Sequence, residues 1–116
     1  MVVERRMMYR LQVVWKATIT RLNGEQLSGS TDNVSEKGMN VILEKQLVMG
    51  EPVKIEVVSK CTGQLCYFTL DAVIVYNDSL EFNLGTAVGL RLLQPTLDYL
   101  EYLQHYSTEP QNRFAS

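Results

Sequence analysis

Residues 11–20 read Leu-Gln-Val-Val-Trp-Lys-Ala-Thr-Ile-Thr, in which the odd-numbered residues are apolar and most of the others are polar. In an extended chain, alternate side chains point to opposite faces, so this period of two predicts a β-strand with one buried face. The apolar positions are Leu11, Val13, Trp15, Ala17 and Ile19. Asn23-Gly24 then predicts a hairpin turn into a second strand over residues 26–31.

Four more extended segments follow the hairpin, each bounded by Gly, Pro, Asn or Ser. Residues 32–38 are polar and predict a tight connection, and 77–79 (Asn-Asp-Ser) predict a later turn. Gly89, inside the last apolar segment, predicts a bulge or a close approach of the backbone. These strands are predicted at residues 38–43, 53–58, 65–76 and 85–93.

The period changes after Pro95. Leu93, Leu97, Leu100 and Gln104 fall on one helical row, with Leu103 beside it, which predicts a single C-terminal helix. Residues 107–116 are polar and are expected to form a loose tail. Six short strands leave exposed edges unless their sheet closes, so the expected fold is mostly β: a small antiparallel barrel with one end covered by the helix.

The length and composition are those of one domain. The chain has 116 residues, 46% of them hydrophobic, and a formal net charge of -2. Residues 1–21 carry five basic residues and one acidic, a net +4, whereas the rest carry six basic and twelve acidic, a net -6. The overall charge argues against a protein that coats DNA or RNA, and the local excess predicts an anion site near the N-terminus.

No stretch of the sequence resembles a signal peptide or a membrane-spanning segment, so we expect a cytoplasmic protein without membrane insertion. A zinc site usually needs four ligands, and the sequence has only two cysteines, Cys61 and Cys66, and one histidine, His105. We therefore expect no metal and no cofactor. In a reducing compartment the two cysteines are expected to be free thiols, with a cross-strand disulfide as the alternative. No set of acid, base and nucleophile suggests catalysis, so no catalytic residue is assigned and the protein is not expected to be an enzyme.

Two motifs are suited to binding. The first is Arg6-x-x-x-Arg10, with Arg5 beside it, directly before the first strand; the second is Asn33-x-Ser35-x-x-Gly38. Arginine can grip a phosphate through two hydrogen bonds and can equally address the O6/N7 edge of guanine. The amide of the second motif can bond a base edge, its hydroxyl can meet a phosphate or a guanine amino group, and its glycine allows close approach or positive φ.

The two motifs, in this order and at this spacing, resemble those of the PilZ domain family of bacterial receptors for the second messenger cyclic di-GMP. The resemblance extends to the strand Ala72-Val73-Ile74-Val75-Tyr76 and to Val88-Gly89-Leu90-Arg91-Leu92. It implies a six-stranded antiparallel β-barrel with one C-terminal helix at residues 11–106, and a flexible arm at residues 1–10 that folds over the ligand.

The resemblance also implies a role for each motif residue. Arg6 and Arg10, assisted by Arg5, would hold phosphates and guanine Hoogsteen edges. Asn33 would bond a guanine edge, Ser35 would meet polar groups of the ligand, and Gly38 would shape the turn.

Three further residues are weaker candidates. Asp32 would offer a carboxylate to guanine if the register slips by one residue. Tyr76 would stack on a guanine or else pack within the sheet. Arg91 would add a cation to the site or else simply face solvent.

The function so implied is that of a cyclic di-GMP receptor that orders its arm on binding and signals to a protein partner in motility, biofilm or exopolysaccharide control. The alternative is a PilZ-like adaptor that works through protein contacts and binds no cyclic di-GMP. A barrel for single-stranded DNA or RNA would need a basic groove with several exposed aromatics, and the charge of -2 counts against it.

Overall fold

The protein is a closed antiparallel β-barrel in a computed structural model that describes residues 10–61 and 63–108. Neighbouring strands follow the order β1-β2-β3-β6-β5-β4, and β4 pairs with β1 to close the sheet. The predicted six-stranded barrel with one helix is therefore confirmed. The elements are β1 (Lys16–Arg21), β2 (Gln26–Val34), β3 (Gly38–Leu43), β4 (Pro52–Cys61), β5 (Gln64–Ser79), β6 (Thr86–Leu93) and helix α1 (Leu97–Thr108).

The period of two places the apolar residues inside the barrel. In β1, Ala17 and Ile19 are fully buried, and Val13 and Trp15 continue the same face before the strand begins. The other strands contribute their alternate residues in the same way. The largest of the fully buried side chains in the barrel wall are Ile19, Met39, Ile55, Ile74, Val34, Val41, Val57 and Val88.

Helix α1 closes one end of the barrel mainly with its tyrosines. Leu97 is 70% exposed, whereas Tyr99 and Leu103 are buried and Tyr102 and Tyr106 pack at the margin of the core. The helix predicted from the row Leu93, Leu97, Leu100 and Gln104 is confirmed, although Gln104 is exposed and only Leu100 of the row packs against the core. Tyrosines cover the barrel because their rings pack tilted or edge-on against Trp15 and Phe68, with centroids 5.0–6.0 Å apart.

Three strands extend further than predicted: β4 reaches Cys61, and β2 and β5 take in segments predicted as connections. β2 continues through Val34, so Asp32 and Asn33 belong to a strand and only residues 35–37 form the connection. β5 runs to Ser79, so 77–79 is not a turn; the turn lies after it, where Phe82 and Asn83 adopt positive φ in a short 3-10 segment. In both places polar residues form strand because the neighbouring strand provides main-chain partners.

The hairpin between β4 and β5 pairs Cys61 with Gln64 and Ser59 with Cys66. The thiol of Cys66 is free, as predicted. Within residues 10–61 and 63–108, no helix has both the length and the apolar character needed to cross a membrane. Of the predicted arm at residues 1–10, only Arg10 belongs to the described residues, and of the predicted tail at 107–116 only residues 107–108, which form the end of α1 and not a tail.

Candidate functional site

A short bridge between Leu11 and Val34 positions the last arginine of the first motif. The two residues exchange main-chain hydrogen bonds of 2.7 and 2.9 Å. The preceding residue, Arg10, therefore lies beside the residue that follows Val34, which is Ser35. Its Nη1 is 3.5 Å from Ser35 Oγ, while most of its side chain remains exposed.

The segment after Arg10 is held in place by a buried threonine. Thr31 Oγ1 accepts a hydrogen bond of 2.8 Å from the main-chain N–H of Trp15 and donates one of 2.7 Å to the carbonyl of Val13. Its own N–H donates to the carbonyl of Trp15. Because these groups are buried, the path of the chain from Arg10 into β1 is fixed by hydrogen bonds that water cannot replace.

The side chain of Ser35 stabilises its own loop through hydrogen bonds to the main chain. Its Oγ accepts from the main-chain N–H groups of Lys37 and Gly38, at 3.3 and 3.1 Å, and lies 3.2 Å from the Gly38 carbonyl. The side chain is buried. The hydroxyl is thus committed to the loop, and Arg10 is the charged group that reaches it from outside.

Gly38 is required by a close approach and not by its φ, which is not positive. A Cβ atom at this position would lie 2.7 Å from the main-chain oxygen of Leu90 in β6 and 3.7 Å from Nη2 of Arg10. Arg91 is the direct partner of Gly38 across the β3–β6 pair and is exposed. Arg10 and Arg91 therefore flank Gly38, giving this end of the site two cations.

A row of polar residues lies next to this cationic end on the outer face of the barrel. Asn33 pairs with Asn40, Asn40 with Gly89, and Gly89 with Tyr76, so the row crosses β2, β3, β6 and β5. Asn40 is two residues along β3 from Gly38, which places the row about 7 Å from the cationic end. Sequence reasoning missed Asn40, although the alternation of β3 marks it as outward-facing.

Tyr76 lies flat against Gly89. A Cβ on Gly89 would come within 2.1 Å of the tyrosine ring, so the ring occupies the space that a side chain would fill. A register shift in β5 between Ile74 and Tyr76 accompanies this contact. The prediction of a bulge or close approach at Gly89 is confirmed: the glycine provides the close approach, and the bulge is in the partner strand.

The structure brings most of the predicted site residues onto one face. Arg10, Asp32, Asn33, Ser35, Gly38, Tyr76 and Arg91 are contributed by the segment before β1, by β2, β3, β5 and β6, and by the β2–β3 loop. Arg5 and Arg6 lie outside the described residues. A separate open groove of about 790 Å³, lined among others by Ser28, Ile42 and Gly85, contains none of the candidates.

Electrostatic effects link this face to α1. Burial raises the pKa of Tyr99 far above its usual range, and the positive charge of Arg10 opposes this shift. The Tyr99 hydroxyl donates a hydrogen bond of 2.8 Å to the main-chain oxygen of Ser35. Among the described residues, no group of three or more His, Cys, Asp or Glu side chains is arranged to hold a metal ion.

Fold and site together define a small antiparallel barrel domain with a mixed cationic and polar site on its outer face. A sequence model of the PilZ domain matches residues 4–109. The chain therefore belongs to the PilZ domain family.

Solved structures agree with this assignment. An inhibitor of motility from Bacillus subtilis (MotI/DgrA) superposes with a TM-score of 0.76 at 16% identity, over 88% of this chain and 49% of that one. YcgR from Escherichia coli, in complex with c-di-GMP, superposes at 0.73 and 21% identity, over 96% and 49%. The isolated PilZ domain of YcgR with c-di-GMP gives 0.71 and 20%, over 96% of both chains.

The chain thus spans about half the length of the first two of these proteins. At such identities the similarity establishes the fold. A sequence comparison with curated proteins finds no match.

Proposed function

We propose that this domain is a receptor for cyclic di-GMP and that it has no catalytic activity. The observation that carries the proposal is the position of Arg10, whose guanidinium lies between Ser35 and Gly38, beside a row of outward-facing polar side chains. A guanidinium suits phosphates and the O6/N7 edge of guanine, and amide and carboxylate oxygens suit the N1 and N2 donors of guanine. The complexes of YcgR with c-di-GMP support the choice of ligand.

In the proposed site, Arg10 and Arg91 form the cationic end that receives phosphate. Arg5 and Arg6 join them from the arm when ligand is present. Gly38 permits the close packing of β3 on β6, and Ser35 keeps the loop closed so that its main chain does not obstruct the ligand. The barrel would meet the base of the ligand at the neighbouring polar pair Asp32 and Asn33, whose side chains are hydrogen-bonded to each other.

Tyr76 is held in place by its ring and its hydroxyl. Its ring already packs on Gly89, and its hydroxyl donates to Asn40 Oδ1 at 2.7 Å. Gly89 covers one face of the ring, so a guanine could stack only on the opposite face, without breaking either contact. We therefore place Tyr76 in the floor of the site.

Signalling is proposed to follow from ordering of the arm. Arginines of like charge repel one another until an anion neutralises them, so a dinucleotide diester would draw residues 4–10 onto the barrel. The ordered arm and ligand would then present a new surface to a protein partner in the cytoplasm. The motility function of MotI makes control of motility one candidate output.

The test is calorimetric titration of cyclic di-GMP into the purified protein at physiological salt, with GTP as the control ligand. We expect saturable binding, no response to GTP, and a loss of about tenfold or more in affinity for Arg10→Ala, because hydrogen bonds to charged groups are worth ~1.5–3 kcal/mol. Lys54→Ala, which removes an exposed cation on β4, is the matched control and should bind normally. Absence of binding by the unmodified protein would refute the receptor function and favour the protein-interaction adaptor.

Amide hydrogen exchange tests the ordering separately. Exchange of residues 4–10 should slow when ligand saturates the protein. If exchange is unchanged at saturation, the protein would still be a receptor, but the proposed ordering of the arm would be refuted.

A further inference from the structure

Asp32 is the extra residue of a β-bulge. Thr31 pairs with Val41 and Asn33 pairs with Asn40, so β2 has one residue more than β3 between these two pairs. Thr31 and Val34 are both buried on the inner face. The two residues between them, Asp32 and Asn33, consequently both belong to the outer side of the barrel, and Asp32 is exposed.

The carboxylate of Asp32 is held by amides on two strands. Its Oδ2 lies 3.1 Å from Asn33 Nδ2 and 3.4 Å from Asn40 Nδ2, and both amides donate to it. Asn40 Oδ1 in turn accepts from the Tyr76 hydroxyl at 2.7 Å. Because the Tyr76 ring rests on Gly89, this chain of hydrogen bonds fixes the carboxylate relative to β3, β5 and β6.

Asn33 is unable to offer an acceptor in this arrangement. Its Oδ1 is buried, with no hydrogen-bond partner among the described residues, and its Nδ2 is committed to Asp32. The described hydrogen bonds of Asp32 all use Oδ2, so the other carboxylate oxygen of this exposed residue has no described partner. On this face the acceptor that a ligand can reach is the carboxylate of Asp32 and not the amide of Asn33.

We infer that Asp32 is the residue that selects guanine, and that Asn33, Asn40 and Tyr76 position its carboxylate. The inference rests on the proposed receptor function. Guanine presents two adjacent donors, N1–H and the 2-amino group, which a carboxylate accepts through two hydrogen bonds. Adenine presents an acceptor at N1 and no 2-amino group, so the same carboxylate would meet a lone pair and remain unpaired.

The experiment titrates three cyclic dinucleotides, cyclic di-GMP, cyclic di-IMP and cyclic di-AMP, into the unmodified protein and its variants. Cyclic di-IMP lacks only the 2-amino group, so the ratio of its affinity to that of cyclic di-GMP reports the contact with that group. For Asp32→Asn we expect a loss of about tenfold in affinity for cyclic di-GMP, within the range of a bidentate base contact, and a ratio of the two affinities closer to one.

Variants of the positioning residues should change binding in a different way from Asp32→Asn. Tyr76→Phe and Asn40→Ala should weaken cyclic di-GMP binding less than Asp32→Asn does, and they should keep most of the preference for guanine. Asp71→Asn removes an exposed carboxylate from β5 outside the site and is the matched control. Far-ultraviolet circular dichroism and the urea midpoint should be unchanged for Asp32→Asn, because its side chain is exposed.

Three outcomes would overturn the inference in distinguishable ways. If Asp32→Asn keeps both the affinity and the ratio while Arg10→Ala loses binding, the receptor function stands and Asp32 does not select the base. If Asn33→Ala abolishes the guanine preference and Asp32→Asn does not, the amide is the reading group. If the unmodified protein binds none of the three ligands, the receptor function itself fails, and the assignment of Asp32 fails with it.

Discussion

The hydroxyl of Tyr99 donates a hydrogen bond of 2.8 Å to the main-chain oxygen of Ser35. Tyr99 is fully buried in the first turns of α1, and Ser35 begins the loop that Arg10 contacts. A single bond therefore ties the helix at the end of the barrel to the loop beside the proposed ligand. If ligand binding displaces that loop, this hydrogen bond would transmit the displacement to α1.

Replacing Tyr99 by Phe tests this link. The change retains the ring but leaves the Ser35 carbonyl without its partner, which should cost about 1–3 kcal/mol of unfolding free energy. Urea denaturation followed by the fluorescence of Trp15, the one tryptophan, measures the loss. Tyr67→Phe, at a site where the side chain is 58% exposed, is the control and should change stability little. Equal midpoints for the two variants would contradict the assigned role of the bond.

Replacing Thr31 by Val tests how the segment after Arg10 is held. The variant is close in shape, but it leaves the Trp15 N–H and the Val13 carbonyl without the hydroxyl in a buried setting. We expect a loss of about 2 kcal/mol or more in stability. The ligand affinity should fall as well, because Arg10 would no longer be held beside Ser35.

Thr69→Val, on the exposed face of β5, provides the comparison for Thr31→Val. It makes a similar change in shape without removing a buried hydrogen bond. A Thr31→Val protein that matches Thr69→Val in both stability and affinity would show that the threonine does not anchor the segment.

Two glycine substitutions should differ according to what the new methyl group meets. In Gly38→Ala it meets the main-chain oxygen of Leu90 at 2.7 Å, so β3 and β6 must move apart, at a cost of about 1–3 kcal/mol. In Gly89→Ala it meets the ring of Tyr76, which is 42% exposed and can swing into solvent. Differential scanning calorimetry should therefore find Gly38→Ala the less stable protein, and the reverse order would contradict this account.

Glu51 predicts a pH dependence of stability. Arg21 donates to both carboxylate oxygens, at 2.6 and 3.0 Å, and these bonds hold the pKa of Glu51 below its usual range. A carboxyl group with a lowered pKa in the folded state stabilises the protein above the unfolded pKa of about 4.3, and this contribution is lost as the pH falls through the folded value.

Glu51→Gln should therefore lower the urea midpoint at pH 7, and the difference from the unmodified protein should shrink as the pH falls below about 4. Glu56→Gln is the control, since Glu56 is exposed in the middle of β4 and has no ion pair among the described residues. A difference that persists unchanged to low pH would mean that the charge of Glu51 does not contribute through this pairing.

The sequence by itself determined the number of strands, their alternation and the position of the binding motifs. These properties are local. A period of two arises because neighbouring side chains of a strand point to opposite faces, and Asn-Gly predicts a turn because both residues readily adopt its dihedral angles. The close approach at Gly89 could also be predicted locally, because a glycine within an apolar strand indicates a bulge or a close contact with its backbone.

Only the tertiary structure decided which side chains come together at the candidate site. The bulge at Asp32 arises from the register between β2 and β3, and no local pattern specifies where one strand gains a residue over its partner. The buried face of α1 was decided in the same way: Tyr99 and Tyr102 pack against Trp15 and Phe68, whereas Leu97 of the leucine row is exposed. Such choices depend on shape and hydrogen bonding between residues far apart in the chain, which pairwise spacing does not encode.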